Sequence, residues 1–194
     1  TAIDSLTHAM EAYVSRRAFP YTDAFALSAM PLIVDHVRRA YHGPSDGAAR
    51  EALMLASAQA GMAFSNASVA LVHGMSRPIG AHFHVAHGLS NAMLLPTVTE
   101  FSVEAAAARY ATCARVMGLA TDGDSDATAC DRLIEGLQRR NQELAVPSPG
   151  ELGHHADNAM LELMAEQALA SGSPNNNPRI PTADNIVRLY KEMW

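Results

Sequence analysis

The sequence predicts an all-α protein, a bundle of helices with no β-sheet. Three observations lead there. Alanine, leucine and methionine are plentiful while aromatic residues make up only 6%, and straight-chain side chains lose little rotamer freedom in a helix. Apolar residues recur at helical spacing in one segment after another. No stretch alternates apolar and polar residues as a half-buried strand would.

At 194 residues the chain can bury a sizeable core as one domain, residues 1–194. Hydrophobic residues at 48% and charged residues at 18% describe a globular and not a disordered chain. The formal charge of −6 argues against nucleic-acid binding, which needs a concentrated basic surface. The basic doublets Arg16-Arg17, Arg38-Arg39 and Arg139-Arg140 are isolated. No apolar run approaches the roughly 18 residues that cross a bilayer, and no signal peptide is visible. Cys113 and Cys130 are expected as two buried free thiols in a reducing cytoplasm.

Along the chain, Leu6, Met10 and Tyr13 set the period of a first helix over Ser5 to Ser15, and Phe19-Pro20-Tyr21 breaks it. Thr22 or Asp23 caps a second helix reaching about Tyr41, with Phe25, Leu27, Ile33, Val34 and Val37 facing the core. Pro31 should kink or interrupt it. Residues 42–47 form a turn by composition. Ala48 to Phe64 reads as a third helix, buried or nearly so, and helical character continues over Ala67 to Ala81. Pro96 should separate a helix over His87 to Leu95 from another over Val98 to Met117. Asp122 to Asp126 begins like an EF-hand loop but lacks its later glycine and final glutamate. It reads as a solvated cap for a helix over Thr128 to Leu144. After a linker at residues 147–150, further helices are expected at Asp157 to Ala170 and from a Thr182 cap to about Trp194. Ser171 to Pro181 reads as structureless.

Four of the nine histidines, His73, His82, His84 and His87, fall within residues 73–87. Gly74 and Gly88, beside His73 and His87, are expected to leave room for an ion and a substrate. Asp4 and His8 are four residues apart, on one face of a helix that begins at or before Asp4. One carboxylate with several imidazoles suits a divalent first-row ion such as Fe²⁺ or Zn²⁺. Taken singly these features are also those of surface ion pairs and core histidines.

The motifs together resemble a known family. Asp4-Ser5-Leu6-Thr7-His8-Ala9-Met10-Glu11-Ala12-Tyr13 looks like the Asp-Ala-Leu-Thr-His-Ala-Ile-Glu-Ala-Tyr motif of iron-containing (group III) alcohol dehydrogenases. Gly61-Met62-Ala63-Phe64-Ser65-Asn66 resembles a second segment of that family. His73-Gly74-Met75 and His87-Gly88 keep its histidine spacing, and the tail from Asn177-Pro178-Arg179 to Leu189-Tyr190 is similar to its close. The resemblance implies Asp4, His8, His73 and His87 as catalytic metal ligands for Fe²⁺, with Zn²⁺ as the alternative. It implies Phe64 beside the nicotinamide of NAD or NADP, and a small alcohol or aldehyde as substrate. Lactaldehyde reductase and propanediol dehydrogenase are branches of that family.

The resemblance also implies a cytoplasmic homodimer and a Rossmann-like domain ahead of this helical one. The chain opens at Thr1 inside a motif and carries no Gly-x-Gly-x-x-Gly fingerprint. It is therefore expected to be the C-terminal part of a two-domain enzyme, with little or no dehydrogenase activity by itself.

Two residues depart from the family pattern. Arg77 stands where many relatives have a further histidine, and arginine cannot act as a general base. It either forms a surface ion pair or orients an anionic substrate or a cofactor phosphate. Ala86 replaces a proline before the last ligand. His82 and His84 match no ligand position; they are expected to be exposed or core residues, with hydrogen bonding to the ligands as the alternative.

Three other readings compete. A metal-dependent lyase of the dehydroquinate synthase type needs more basic residues for phosphate than Arg77 alone. A di-iron bundle needs paired Glu-x-x-His motifs, and Glu151-Leu152-Gly153-His154 has no partner copy. The third is a non-catalytic helical metal-binding module.

Overall fold

The computed structural model describes every residue from Thr1 to Trp194. It contains nine α-helices and no strand: α1 (Ala2–Val14), α2 (Pro20–His42), α3 (Gly47–Ala67), α4 (Leu71–Phe83), α5 (His87–Ser102), α6 (Ala107–Val116), α7 (Asp126–Glu143), α8 (Asn158–Ala170) and α9 (Ala183–Met193). Short 3₁₀ turns occupy Val103–Ala106 and Ser173–Asn176. No single helix is long and apolar enough to cross a membrane.

Helix α1 is the hub, packing on α2, α3, α4, α5 and α6. Its composition fits that place: from Ser5 to Val14 only His8 is not fully buried. Helix α3 meets α1 and α2 through Ala49, Ala56, Ala60, Ala63 and Ala67. Alanine at that spacing lets helix backbones come close. Asp46 caps α3 by accepting from the Ala49 N–H at 3.0 Å. The other face of α3 is open, with Met54, Leu55 and Met62 exposed, so α3 is half covered, not the nearly buried helix its composition predicts.

Proline proves a poor guide to the breaks. Helix α2 runs through Pro31 without interruption. Helix α5 runs through Pro96. A proline there removes the N–H that would bond the carbonyl four residues back; the Asn141 side-chain amide of α7 donates to that Ala92 carbonyl instead, at 2.6 Å. The chain breaks after Ser102, where the Val103–Ala106 turn separates α5 from α6.

The expected run from Ala67 to Ala81 is also divided. Ser68 takes a left-handed φ of 65° and α4 starts afresh at Leu71. That break is tied down by the stretch expected to be structureless. Asn176 donates to Ser68 Oγ at 3.1 Å and to the Val69 carbonyl at 3.0 Å, and its own carbonyl accepts from the Arg16 N–H at 2.8 Å. Buried Asn177 donates to Ser102 Oγ. The Asp122 to Asp126 loop is a cap, as its composition indicates: Ser125 accepts from the Thr128 N–H, and Asp124 and Asp126 pair with Arg132 and Arg115.

Candidate metal centre

Four side chains from three helices converge at one point. Asp4 and His8 lie one turn apart on α1, His73 is in the first turn of α4, and His87 is the first residue of α5. Helix α1 begins at Ala2, early enough to place Asp4 and His8 on one face. One donor atom from each of the four lies within 4.8 Å of all the others. Asp4 Oδ1 is 3.7 Å from His73 Nε2 and 3.7 Å from His87 Nε2. Donors about 2.1 Å from a tetrahedral ion sit roughly 3.4 Å apart, so the spacing fits a single divalent cation after small adjustments. The donor chemistry fits too, one carboxylate and three imidazoles.

The imidazoles follow one another with their rings tilted by 32° and 55°. His8 lies 4.4 Å from His73 between ring centroids, and His73 lies 5.3 Å from His87. Phe64 stacks on His8 at 4.2 Å, giving the centre an apolar wall. The centre is most open at His87, whose side chain is 50% exposed, and most enclosed at His73, whose side chain is 4% exposed.

Buried Glu11, one turn beyond His8, was not singled out in the sequence. Its carboxylate accepts from the Ala70 N–H at 2.9 Å, the Val72 N–H at 2.6 Å and His73 Nδ1 at 2.6 Å. It thus caps the start of α4, where free N–H groups and the helix dipole favour an anion. It also holds the Nδ1 proton of His73 and turns Nε2 toward Asp4. Asn91, one turn after His87 on α5 and fully buried, was missed likewise. Its Nδ2 lies 2.6 Å from Asp4 Oδ1. The signal for both was helical spacing: Glu11 continues the Asp4–His8 face, and Asn91 follows His87 by four residues.

The charges are strongly perturbed. Burial opposes ionisation of Asp4, but hydrogen bonds from His73 and Asn91 and the nearby His8 and His87 outweigh it, holding the carboxyl below the usual range. Burial and the neighbouring His73 pull His8 down to about 4. His73 is pushed up to about 9, because Glu11 and Asp4 overcome its burial. Burial lowers His87, with His73 and Arg77 adding to the effect against the pull of Asp4.

The whole chain, residues 1–194, matches the model of the Fe-containing alcohol dehydrogenase family, C-terminal. The chain belongs to this family. It is 37% identical over 192 residues to an NAD-dependent methanol dehydrogenase of Bacillus methanolicus, covering 98% of this chain and 50% of that protein. It is 35% identical over 195 residues to the lactaldehyde reductase of Escherichia coli K12, covering 100% of this chain and 50% of that protein. A solved 1,3-propanediol oxidoreductase superposes with a TM-score of 0.95 at 35% identity, covering all of this chain and 50% of that one. The chain therefore spans about half the length of the relatives it matches.

Against that family pattern, the structure decides several smaller points. Gly74 and Gly88 do not leave space for a ligand; they leave space for other parts of the fold. A Cβ on Gly74 would lie 2.7 Å from Pro174, and one on Gly88 would lie 3.2 Å from both Asp4 Cβ and the Thr1 nitrogen. Arg77 is exposed and makes no surface ion pair, donating instead to Ser173 Oγ at 2.9 Å. His82 bonds Gln167, and His84 is an exposed left-handed cap; neither reaches the four converging groups. Glu151 and His154 lie outside any helix. Both cysteines are free and buried.

Proposed function

We propose that this chain is the metal-holding part of an NAD(P)-linked oxidoreductase that interconverts a small primary alcohol and its aldehyde. The observation that carries the reading is the approach of Asp4, His8, His73 and His87 to within 4.8 Å of one another from three separate helices. The relatives add weight, being named as dehydrogenases or reductases of small alcohols and aldehydes. A lyase would need further basic groups for phosphate, and Arg77 is the one basic side chain beside His87.

In this reading Asp4, His8, His73 and His87 hold Fe²⁺, the family's metal, with Zn²⁺ as the alternative. When bound, the ion supplies Lewis-acid polarisation of an alcohol or carbonyl oxygen. The remaining roles fall to the chain itself. Asp4 provides a negative charge that offsets the cation and retains it. Glu11 fixes the tautomer of His73 so that Nε2 is the coordinating atom. The Phe64 ring, stacked on His8, offers a flat apolar surface that would receive the nicotinamide of NAD or NADP and keep water from it. Arg77, at the open side with no carboxylate partner, is available to a substrate anion or a cofactor phosphate. A homodimer in the cytoplasm is part of the same proposal, consistent with the two free thiols.

Metal titration followed by chelator competition tests this. One Fe²⁺ or Co²⁺ should bind per chain, and Asp4→Ala or His73→Ala should weaken that binding at least 100-fold. Absence of stoichiometric binding to the native chain, or equal binding by these variants, rejects the proposal.

A further inference from the structure

We propose that Asn91 is a positioning residue that fixes Asp4 and closes the ligand set from the α5 side, so that it sets how tightly this centre holds a divalent ion. The inference rests on the metal-centre reading above and adds to it a residue outside the four donors. A single atom, Asn91 Nδ2, lies 2.6 Å from Asp4 Oδ1, 3.2 Å from His73 Nε2 and 3.1 Å from His87 Nε2. Asp4, His73 and His87 belong to α1, α4 and α5 respectively. Asn91 therefore ties together all three helices that build the site.

The orientation of the amide follows from chemistry. Only an N–H can face a carboxylate oxygen at 2.6 Å, so Nδ2 points into the cluster and the amide oxygen points away. Nδ2 carries two protons for three neighbours. Asp4 takes one, and the other points toward the two imidazole nitrogens at 3.2 and 3.1 Å. Asn91 thus fixes the coordinating oxygen of Asp4 beside the Nε2 atoms of His73 and His87 without being a ligand itself.

The cost side of the arrangement shows that this is not a packing role. Asn91 is 0% exposed, and its Oδ1 is buried with no hydrogen-bond partner. A buried amide oxygen without a donor destabilises a fold, and a leucine of similar shape would remove that burden. Leucine would also remove the donor that holds Asp4, whose side chain is 19% exposed. Fold stability and ion affinity should therefore move apart on substitution.

The test uses the 194-residue chain, Asn91→Leu and Asn91→Ala, with Co²⁺ as the probe. Affinity is read by chelator competition, site geometry by the visible Co²⁺ absorption, and metal-free stability by thermal unfolding. Loss of an outer hydrogen bond to a ligand typically weakens metal binding about 10–100-fold, and that loss is expected in both variants together with an altered Co²⁺ spectrum. The metal-free midpoint should be unchanged or raised in Asn91→Leu and lowered in Asn91→Ala, which opens a cavity. Native affinity and spectrum in both variants overturn the proposal. So does a metal-free midpoint that falls in Asn91→Leu as far as in Asn91→Ala, since that marks a structural anchor. Failure of the native chain to bind Co²⁺ rejects the metal centre itself, and Asn91's role with it.

Discussion

Glu11 accepts the Nδ1 proton of His73 at 2.6 Å while the same carboxylate takes the Ala70 and Val72 N–H groups. One side chain on α1 thus caps α4 and orients the imidazole in α4's first turn. The fold and the site share a single buried anion, so neither can be altered at Glu11 without the other.

Glu11→Gln separates charge from shape. All three of Glu11's partners are donors, whereas a glutamine amide offers one acceptor and one donor, so at least one N–H loses its bond. A buried donor left unsatisfied costs about 1–3 kcal/mol. For a chain of this size each kcal/mol lowers the thermal midpoint by roughly 2–4 °C. Ion affinity should fall about 10–100-fold, because His73 loses its orienting partner. Glu11→Ala should cost about 3–5 kcal/mol, since the start of α4 and His73 are then both left unpaired. Thermal unfolding and Co²⁺ titration read these outcomes; a Glu11→Gln variant with native affinity would show that His73 is held by other means.

The helices were legible because their apolar periods were strong, and the four converging residues because the motif resemblance was long and unbroken. What escaped the sequence was the identity of carbonyl partners. Pro96 looked like a break, yet Asn141, forty-five residues later, supplies the donor that proline lacks. Nothing local announced that. Ser171 to Pro181 looked structureless, but Asn176 and Asn177 spend their amides on the chain breaks at Ser68 and Ser102. Glu11 and Asn91 were hidden for a related reason: each acts by bonding a residue distant in the chain, and a glutamate or asparagine within a helix usually faces water.

Acid and alkali should each lower the stability of the metal-free chain, through different histidines. His73 is raised to about 9 by Glu11 and Asp4, above its unfolded value of about 6.5. Its contribution is therefore complete below about pH 6.5 and lost as pH rises through about 9. His8 is lowered to about 4 by burial and by His73. Its contribution is complete above about pH 6.5 and lost as pH falls toward 4. Thermal midpoints in the presence of a chelator should peak between these limits. Co²⁺ affinity should instead climb from pH 6.5 to 9, because the ion must displace the Nε2 proton of His73. Affinity that stays flat over that range would mean His73 is already neutral in the metal-free chain.

Two glycine substitutions separate the needs of helix formation from those of the site. Gly61 and Gly88 both lie inside helices, where alanine is favoured over glycine by roughly 0.5–1 kcal/mol. A Cβ on Gly61 meets nothing within 4 Å, so Gly61→Ala should raise the thermal midpoint and leave ion binding unchanged. A Cβ on Gly88 would lie 3.2 Å from Asp4 Cβ and 3.2 Å from the Thr1 nitrogen, tight enough to move α1 by a few tenths of an ångström. The helical gain is then offset by an overpacking cost that is typically about 1–3 kcal/mol. What moves is the element carrying Asp4 and His8, while His87 stays with α5. Gly88→Ala should therefore weaken Co²⁺ binding by more than its modest change in stability accounts for. Equal ion affinity in Gly88→Ala and Gly61→Ala would show that the centre tolerates a displaced α1, and that glycine at position 88 serves the fold alone.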